Sequence, residues 1–432
     1  MFALLAALSA SAAALGALPG ITPVHAADTF KPLGALPSLN GGRIWSVAVS
    51  PSVPSTILAG SDAGVYTSRD SGATWHLTQP GVRAWVVGFD ARNSNAALAG
   101  TASRGVMYSP DAGTTWVDAS SGLPAEADVR AMAFGLDGLA AGTDNGVFLS
   151  PDGKNWHLSG LAGDSVSSLA VASNAPQLTV IAGIDSGNLA PGFLYRGTGT
   201  TWQPLQSGLP AGAAASSLTA GPIDATVTQR PLVAVTTKGV YRSGDSGSTW
   251  TSATGVPSSV SPTTATFDPL DPSVVYAGAD QGGSTGGALL RSADSGMTFA
   301  AFAPGLPNNA VNVERIALAP TNPLTVIVAL DPPKGAATLY ASPDSSLPAP
   351  PALAPEAPGA PVPQVVAPAP TTAPKPAPGR SSAPAPTPTG FAAFAVGAFH
   401  WPTPLVFEIL FVLVLVYAIV RWREREYVEG PP

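Results

Sequence analysis

Apolar and polar residues alternate over short stretches along most of the chain, the period of half-buried strands rather than of an amphipathic helix. Trp45–Val49 and Trp85–Phe89 each read as one short strand. AGSDAGVYTS, AGTASRGVMYS, AGTDNGVFLS and AVTTKGVYRS each give a strand end, a turn and a further short strand. Four short strands recurring every ~40–50 residues is the pattern of a propeller blade.

An octapeptide punctuates the pattern. It reads SRDSGATW at Ser68–Trp75, SPDAGTTW at Ser109–Trp116, SGDSGSTW at Ser243–Trp250 and SADSGMTF at Ser292–Phe299. A contracted copy spans Ser150–Trp156 and a decayed one Arg196–Trp202. Asp70, Asp111 and Asp152 advance by 41 residues each, and Asp245 and Asp294 by 49. The 93 residues from Asp152 to Asp245 leave room for two units. Ser68, Asp70, Ser109, Asp111, Ser150, Asp152, Ser243, Asp245, Ser292 and Asp294 are expected to cap backbone N–H groups in a turn between third and fourth strands. Gly72, Gly113, Gly247 and Gly296 supply a positive φ there. Trp75, Trp116, Trp156, Trp202, Trp250 and Phe299 are expected to pack between sheets. All are read as structural.

The element Ser-x-Asp-x-Gly-x-Thr-Trp resembles the Asp-box (BNR) repeat. Sialidases, sortilin-type receptors, xyloglucanase-like glycosidases and the photosystem II assembly-factor-like family carry it. The resemblance covers Asp28 to about Asp344 and implies an all-β, seven-bladed β-propeller of four-stranded blades. It implies no single function, because fold and activity are separable.

The last unit stops at Ser342-Pro343-Asp344, with no Gly-x-Thr-Trp and no fourth strand after it. Residues Thr29–Pro37 (TFKPLGALP) match TFAAFAPGLP at Thr298–Pro307 and TWQPLQSGLP at Thr201–Pro210. The propeller is therefore expected over 28–346, with residues 29–33 completing the last blade and shielding both sheet edges.

The ends differ from the middle. Residues 1–26 read as a signal peptide, with an Ala/Leu/Ser run and a small-residue site after Ala26, though no Lys or Arg precedes the run. An uncleaved N-terminal anchor is the alternative. A Pro/Ala-rich tract over 347–390 cannot build a ladder or a helix and is expected to be a disordered, extended stalk. Residues 401–420 are long and apolar enough for one C-terminal transmembrane helix. Arg421, Arg423 and Arg425 then place the short tail, 421–432, in the cytoplasm and the propeller outside it.

Composition narrows the chemistry. With no Cys and four His among 432 residues, thiolate chemistry and a multi-histidine metal site are not expected, and no cofactor is implied. A net charge of −7 argues against nucleic acid as partner. Arg outnumbers Lys by 15 to 5, which suits a GC-rich bacterial genome. The two glutamates between residues 28 and 346, Glu126 and Glu314, fall short of a sialidase set. Twenty aspartates lie there, so a glycosidase pair stays open.

Aligning the innermost strands on their apolar residues puts Arg43, Arg83 and Arg130 at one position, with Ser165, Ala214, Ser261 and Asn312 in the remaining blades. The three guanidinium groups are expected on one sector of one mouth, able to clamp an acidic peptide segment or carboxylate of a protein partner. Trp45 and Trp85 follow two residues after Arg43 and Arg83 and offer apolar contact. Pairing of each Arg with a neighbouring Asp is the bland alternative. The reading is a non-catalytic, membrane-anchored scaffold for protein binding or complex assembly; the alternative is a sialidase- or xyloglucanase-like glycoside hydrolase on the same fold.

Overall fold

The computed structural model describes residues 29–173, 177–185, 193–222, 229–280, 288–302, 306, 312–331 and 337–346. All belong to the first of two compact units, Met1–Ala354; the second is Pro355–Pro432. The signal peptide, stalk, membrane helix and tail expected above lie outside the described residues. Among the described residues no helix is long and apolar enough to cross a membrane.

Every regular element among the described residues is a strand. A two-residue strand, β1 (Lys31–Pro32), precedes a first antiparallel sheet of β2 (Ile44–Val49), β3 (Ile57–Ser61), β4 (Gly64–Ser68) and β5 (His76–Pro80). The second sheet holds β6 (Ala84–Asp90), β7 (Asn93–Thr101), β8 (Val106–Ser109) and β9 (Val117–Asp118). The third holds β10 (Val129–Phe134), β11 (Leu139–Thr143), β12 (Gly146–Ser150) and β13 (His157–Gly160). The fourth holds β14 (Val166–Ser173), β15 (Thr179–Ile184), β16 (Leu194–Thr198) and β17 (Thr201–Leu205). The fifth holds β18 (Ala215–Ala220), β19 (Leu232–Thr236), β20 (Gly239–Ser243) and β21 (Thr251–Ser252).

The rest form one eight-stranded sheet made of two antiparallel quartets. One is β22 (Ser261–Phe267), β23 (Val275–Asp280), β24 (Ala288–Ser292) and β25 (Ala300–Ala301). The other is β26 (Asn312–Ala319), β27 (Leu324–Asp331) and β28 (Thr338–Asp344), with β1 beside β28. A single pairing, Asp280 with Asn312, joins the two. Lys31 pairs with Ala341 and Pro32 with Tyr340, and Leu33 N–H donates to the Leu339 carbonyl.

The leading strands pack in a closed circuit: β2 on β6, then β10, β14, β18, β22, β26 and back to β2. This is the arrangement of a propeller, with leading strands innermost. Second strands are buried on both faces, as apolar runs such as Ile57–Leu58–Ala59 require. Neighbouring sheets approach closely where these strands carry glycine. A Cβ on Gly60 would lie 2.8 Å from the Ala84 carbonyl oxygen, and one on Gly100 2.6 Å from that of Val129.

The octapeptides form the turns between third and fourth strands. In Ser243–Trp250, Ser243 Oγ donates to Asp245 Oδ1 (2.8 Å) and accepts the Gly247 N–H (2.8 Å). Asp245 also accepts the Thr249 N–H (2.9 Å) and hydroxyl (2.6 Å). The same bonds occur at Ser68–Trp75, Ser109–Trp116 and Ser292–Phe299. In the contracted copy Asn155 takes the threonine's place on Asp152. Each terminal aromatic stands in the apolar cluster between its own sheet and the preceding one: Trp75, Trp116, Trp156, Trp202, Trp250 and Phe299.

Candidate functional site

The leading ends of the innermost strands share one irregularity. Strand pairing skips a residue between Ile44 and Ser46, between Ala84 and Val86, and between Val129 and Ala131. The extra residue is a β-bulge, and its side chain leaves the paired ladder. The bulged residues are Trp45, Trp85 and Arg130, followed round the circuit by Ser167, Ser216, Thr263 and Glu314.

This register corrects the alignment of the arginines. The Arg43 carbonyl accepts the Asp62 N–H and the Arg83 carbonyl that of Ala102; in the third sheet the equivalent acceptor is Asp128, which receives the Asp144 N–H. Ser165 and Ala214 accept in the same way. Asp128, not Arg130, thus shares the position of Arg43 and Arg83, and Arg130 occupies the place of the two tryptophans. Matching apolar residues misplaced it by two residues because a bulge has no signature in strand periodicity.

The five expected residues nevertheless come together. Trp45 and Trp85 meet edge to face with ring centroids 4.8 Å apart. The Arg43 and Arg83 guanidinium carbons lie 5.6 and 5.5 Å from the Trp45 centroid, and those of Arg83 and Arg130 lie 4.7 and 5.8 Å from the Trp85 centroid. The result is one row, Arg43–Trp45–Arg83–Trp85–Arg130, within the range of cation–π attraction at each step.

Three aspartates that the sequence did not single out hold the row. Asp62, in the β3–β4 hairpin, accepts the Arg43 N–H (2.9 Å), the Trp45 indole N–H (2.8 Å) and Arg83 Nε–H (2.6 Å). Burial opposes its ionisation, but these donors outweigh it and lower its pKa. Asp128 accepts the Trp85 indole N–H (2.5 Å) and Arg130 Nε–H (2.9 Å). Asp331 pairs with Arg43 Nε at 3.1 Å.

The row ends at the circuit's closure. Arg315 donates through Nε to the Trp45 carbonyl (2.6 Å) and through Nη1 to the Glu314 carbonyl (2.6 Å). Glu314 accepts from Asn312 Nδ2 (2.6 Å), and burial pushes its carboxyl above the usual range, with Arg315 and Arg43 offsetting part of the effect. The opposite sector is different. There Ser167, Ser216 and Thr263 hydroxyls donate across to the Ala215, Thr263 and Val313 carbonyls of the next strand. Among the described residues, these bulge positions carry short side chains satisfied by backbone, whereas the row carries arginine and tryptophan. Among the described residues no three His, Asp or Glu side chains are placed to hold a metal ion.

No protein-family model and no curated protein matches the chain. Solved structures do. YCF48 from Cyanidioschyzon merolae is 19% identical, with 73% of this chain and 98% of that one covered and a TM-score of 0.50. The structure of YCF48 bound to D1 peptide is 16% identical over 75% of this chain and 99% of that one, with a TM-score of 0.52. The extracellular domain of BT4673 from B. thetaiotaomicron is 13% identical over 72% and 40%, with a TM-score of 0.51. At these identities the likeness is one of architecture: the chain has an all-β propeller fold like that of YCF48 and of the BT4673 extracellular domain.

Proposed function

We propose that this chain is a non-catalytic propeller of seven blades, held outside the cytoplasm by its C-terminal segment, that docks a segment of a protein partner on the Arg43–Arg130 row. Counting the eight-stranded sheet as two, since one residue pair joins its halves, supports the reading of seven blades. Anchoring rests on the signal-like residues 1–26, the Pro-rich tract and the apolar span 401–420. The observation that carries the binding role is the row itself. Five large side chains from three sheets converge at one mouth and are fixed by three carboxylates, an arrangement with no counterpart among the described residues of the hydroxyl-lined side. YCF48, of similar fold, has been captured with a D1 peptide, which supports peptide docking as a role this fold can take.

The test is crosslinking and recovery from membranes, comparing the wild type with Arg43→Ala/Arg83→Ala/Arg130→Ala. Loss of the recovered partner by about tenfold or more is expected, since central arginines often carry interfaces. Undiminished recovery refutes the assignment. A glycoside hydrolase on the same fold is the competing outcome: turnover of fluorogenic sialosides or β-glucan oligomers, abolished by one Asp substitution, would replace the scaffold reading.

A further inference from the structure

We infer that the row reads an uncharged, extended peptide segment through its backbone carbonyls, and that Asp62 and Asp128 are the residues that set this preference. The inference rests on the docking role proposed above and names the chemistry of the partner.

Charge balance is the first argument. Arg43, Arg83 and Arg130 face Asp331, Asp62 and Asp128 one to one, at 3.1, 2.6 and 2.9 Å. Glu314 adds a carboxyl close to Arg43, and Asp144 caps the backbone N–H of Asp128. Within the row the three guanidinium groups are therefore matched one to one by carboxylates, and an acidic segment would meet as many carboxylates as guanidinium groups there.

The second argument is which donors are left. Asp62 takes Nε of Arg83, and Asp331 faces Nε of Arg43. Asp128 takes Nε and Nη2 of Arg130. The side chains remain 53%, 43% and 40% exposed, which leaves guanidinium N–H groups outside these pairs open to solvent. Both indole N–H groups are consumed, and guanidinium groups flank both rings. What the row presents is thus a series of guanidinium donors with their charge already neutralised. Peptide carbonyls suit such donors, because a neutral acceptor is not repelled by the neighbouring aspartates.

Asp62 and Asp128 act through the arginines and are positioning residues. Each also holds an indole, so the donors are ordered before a ligand arrives, which lowers the entropic cost of binding. Replacement by Asn keeps an acceptor for the indole and removes the charge. Asp62→Asn/Asp128→Asn should leave the fold intact while converting the row into a cationic patch.

The experiment uses the full chain and two labelled, end-capped probes, hexaglutamate and a serine–glutamine hexapeptide, followed by fluorescence anisotropy at low and high salt. The wild type is expected to bind the neutral probe at least as well as hexaglutamate, with little salt dependence. The double variant is expected to gain about tenfold for hexaglutamate at low salt and to lose that gain at high salt. Asp331→Asn, outside the indole network, should shift the preference the same way through Arg43. A wild type that already prefers hexaglutamate with steep salt dependence overturns the inference, and so does a double variant with no gain. These results are independent of the arginine-variant recovery that tests the docking role.

Discussion

Phe30 occupies the cluster between the two quartets of the eight-stranded sheet, 6% exposed, packed with Tyr276, Leu289, Val313 and Ile316. The other intersheet clusters each hold the aromatic that ends an octapeptide turn. Phe30 fills that role for a turn whose Ser342 and Asp344 lie at the far end of the described chain. The two ends of the propeller thus share one turn. Asp344 accepts from the Tyr276 hydroxyl and the Ser346 N–H and pairs with Arg291. If Phe30 is a full member of the set, Phe30→Ala costs about as much as Phe299→Ala, about 3–5 kcal/mol for a buried ring. Urea unfolding of both variants measures it; a loss below about 0.5 kcal/mol for Phe30→Ala alone would reduce the N-terminal segment to a surface appendage.

Third strands carry a second regularity, at the residue just before each turn. Thr67 donates to the Gly113 carbonyl of the next sheet's turn (2.7 Å). Tyr108 receives the Lys154 ammonium over its ring at 4.2 Å, and Leu149 packs in the cluster that holds Trp202. Arg196 reaches Ser248 Oγ (3.0 Å), Arg242 the Ser295 carbonyl (3.3 Å), and Arg291 both Ser346 Oγ (3.0 Å) and Asp344 (3.3 Å). One position therefore clasps each sheet to the next with whatever chemistry its residue has. Energies should differ sharply. Arg196 is half-buried and reaches only a neutral hydroxyl, and Arg196→Ala should cost about 1 kcal/mol or less. Asp344 is 1% exposed, so Arg291→Ala strands a buried carboxylate and should cost about 3–5 kcal/mol, read by denaturant midpoint. The turns were legible because five fixed positions of an octapeptide repeat along the chain. The site was legible only in part. Arg43, Arg83, Trp45 and Trp85 recur two by two on consecutive strands, whereas Arg130 sits on a bulge that no alternation encodes. Asp62, Asp128 and Asp331 come from a hairpin, a strand approach and a second strand, and only folding brings them to the row.

Across the whole molecule, carboxylates pull stability in two directions as pH changes. In the turns, the Thr74 hydroxyl and N–H and the Ser68 hydroxyl hold Asp70 at about 2. At Asp245 burial opposes ionisation, but the Thr249 hydroxyl and N–H and the Ser243 hydroxyl outweigh it, and the pKa falls; Asp111 and Asp294 behave alike. A folded pKa below the unfolded value of about 3.9 gives stability that is present above that pH and lost as pH falls through the folded value. Glu314 has the opposite sign. Burial raises it, so its neutral form favours folding; that contribution is complete below the unfolded pKa of about 4.3 and is withdrawn as pH rises through the folded one. Removing each charge should therefore produce pH profiles of opposite slope. Glu314→Gln keeps an acceptor for Asn312 and should raise Tm at pH 7 by about 1–3 °C, the gain shrinking to nothing near pH 4. Asp245→Asn should cost about 1 kcal/mol at pH 7, as a lost cap does, and nothing once acid has protonated the wild-type carboxyl. Parallel thermal melts from pH 3 to 7 compare the two. Profiles of equal slope would mean that Glu314 is stabilised by its arginines rather than strained by burial, and the closure between β26 and β2 would then be an ion-paired seam.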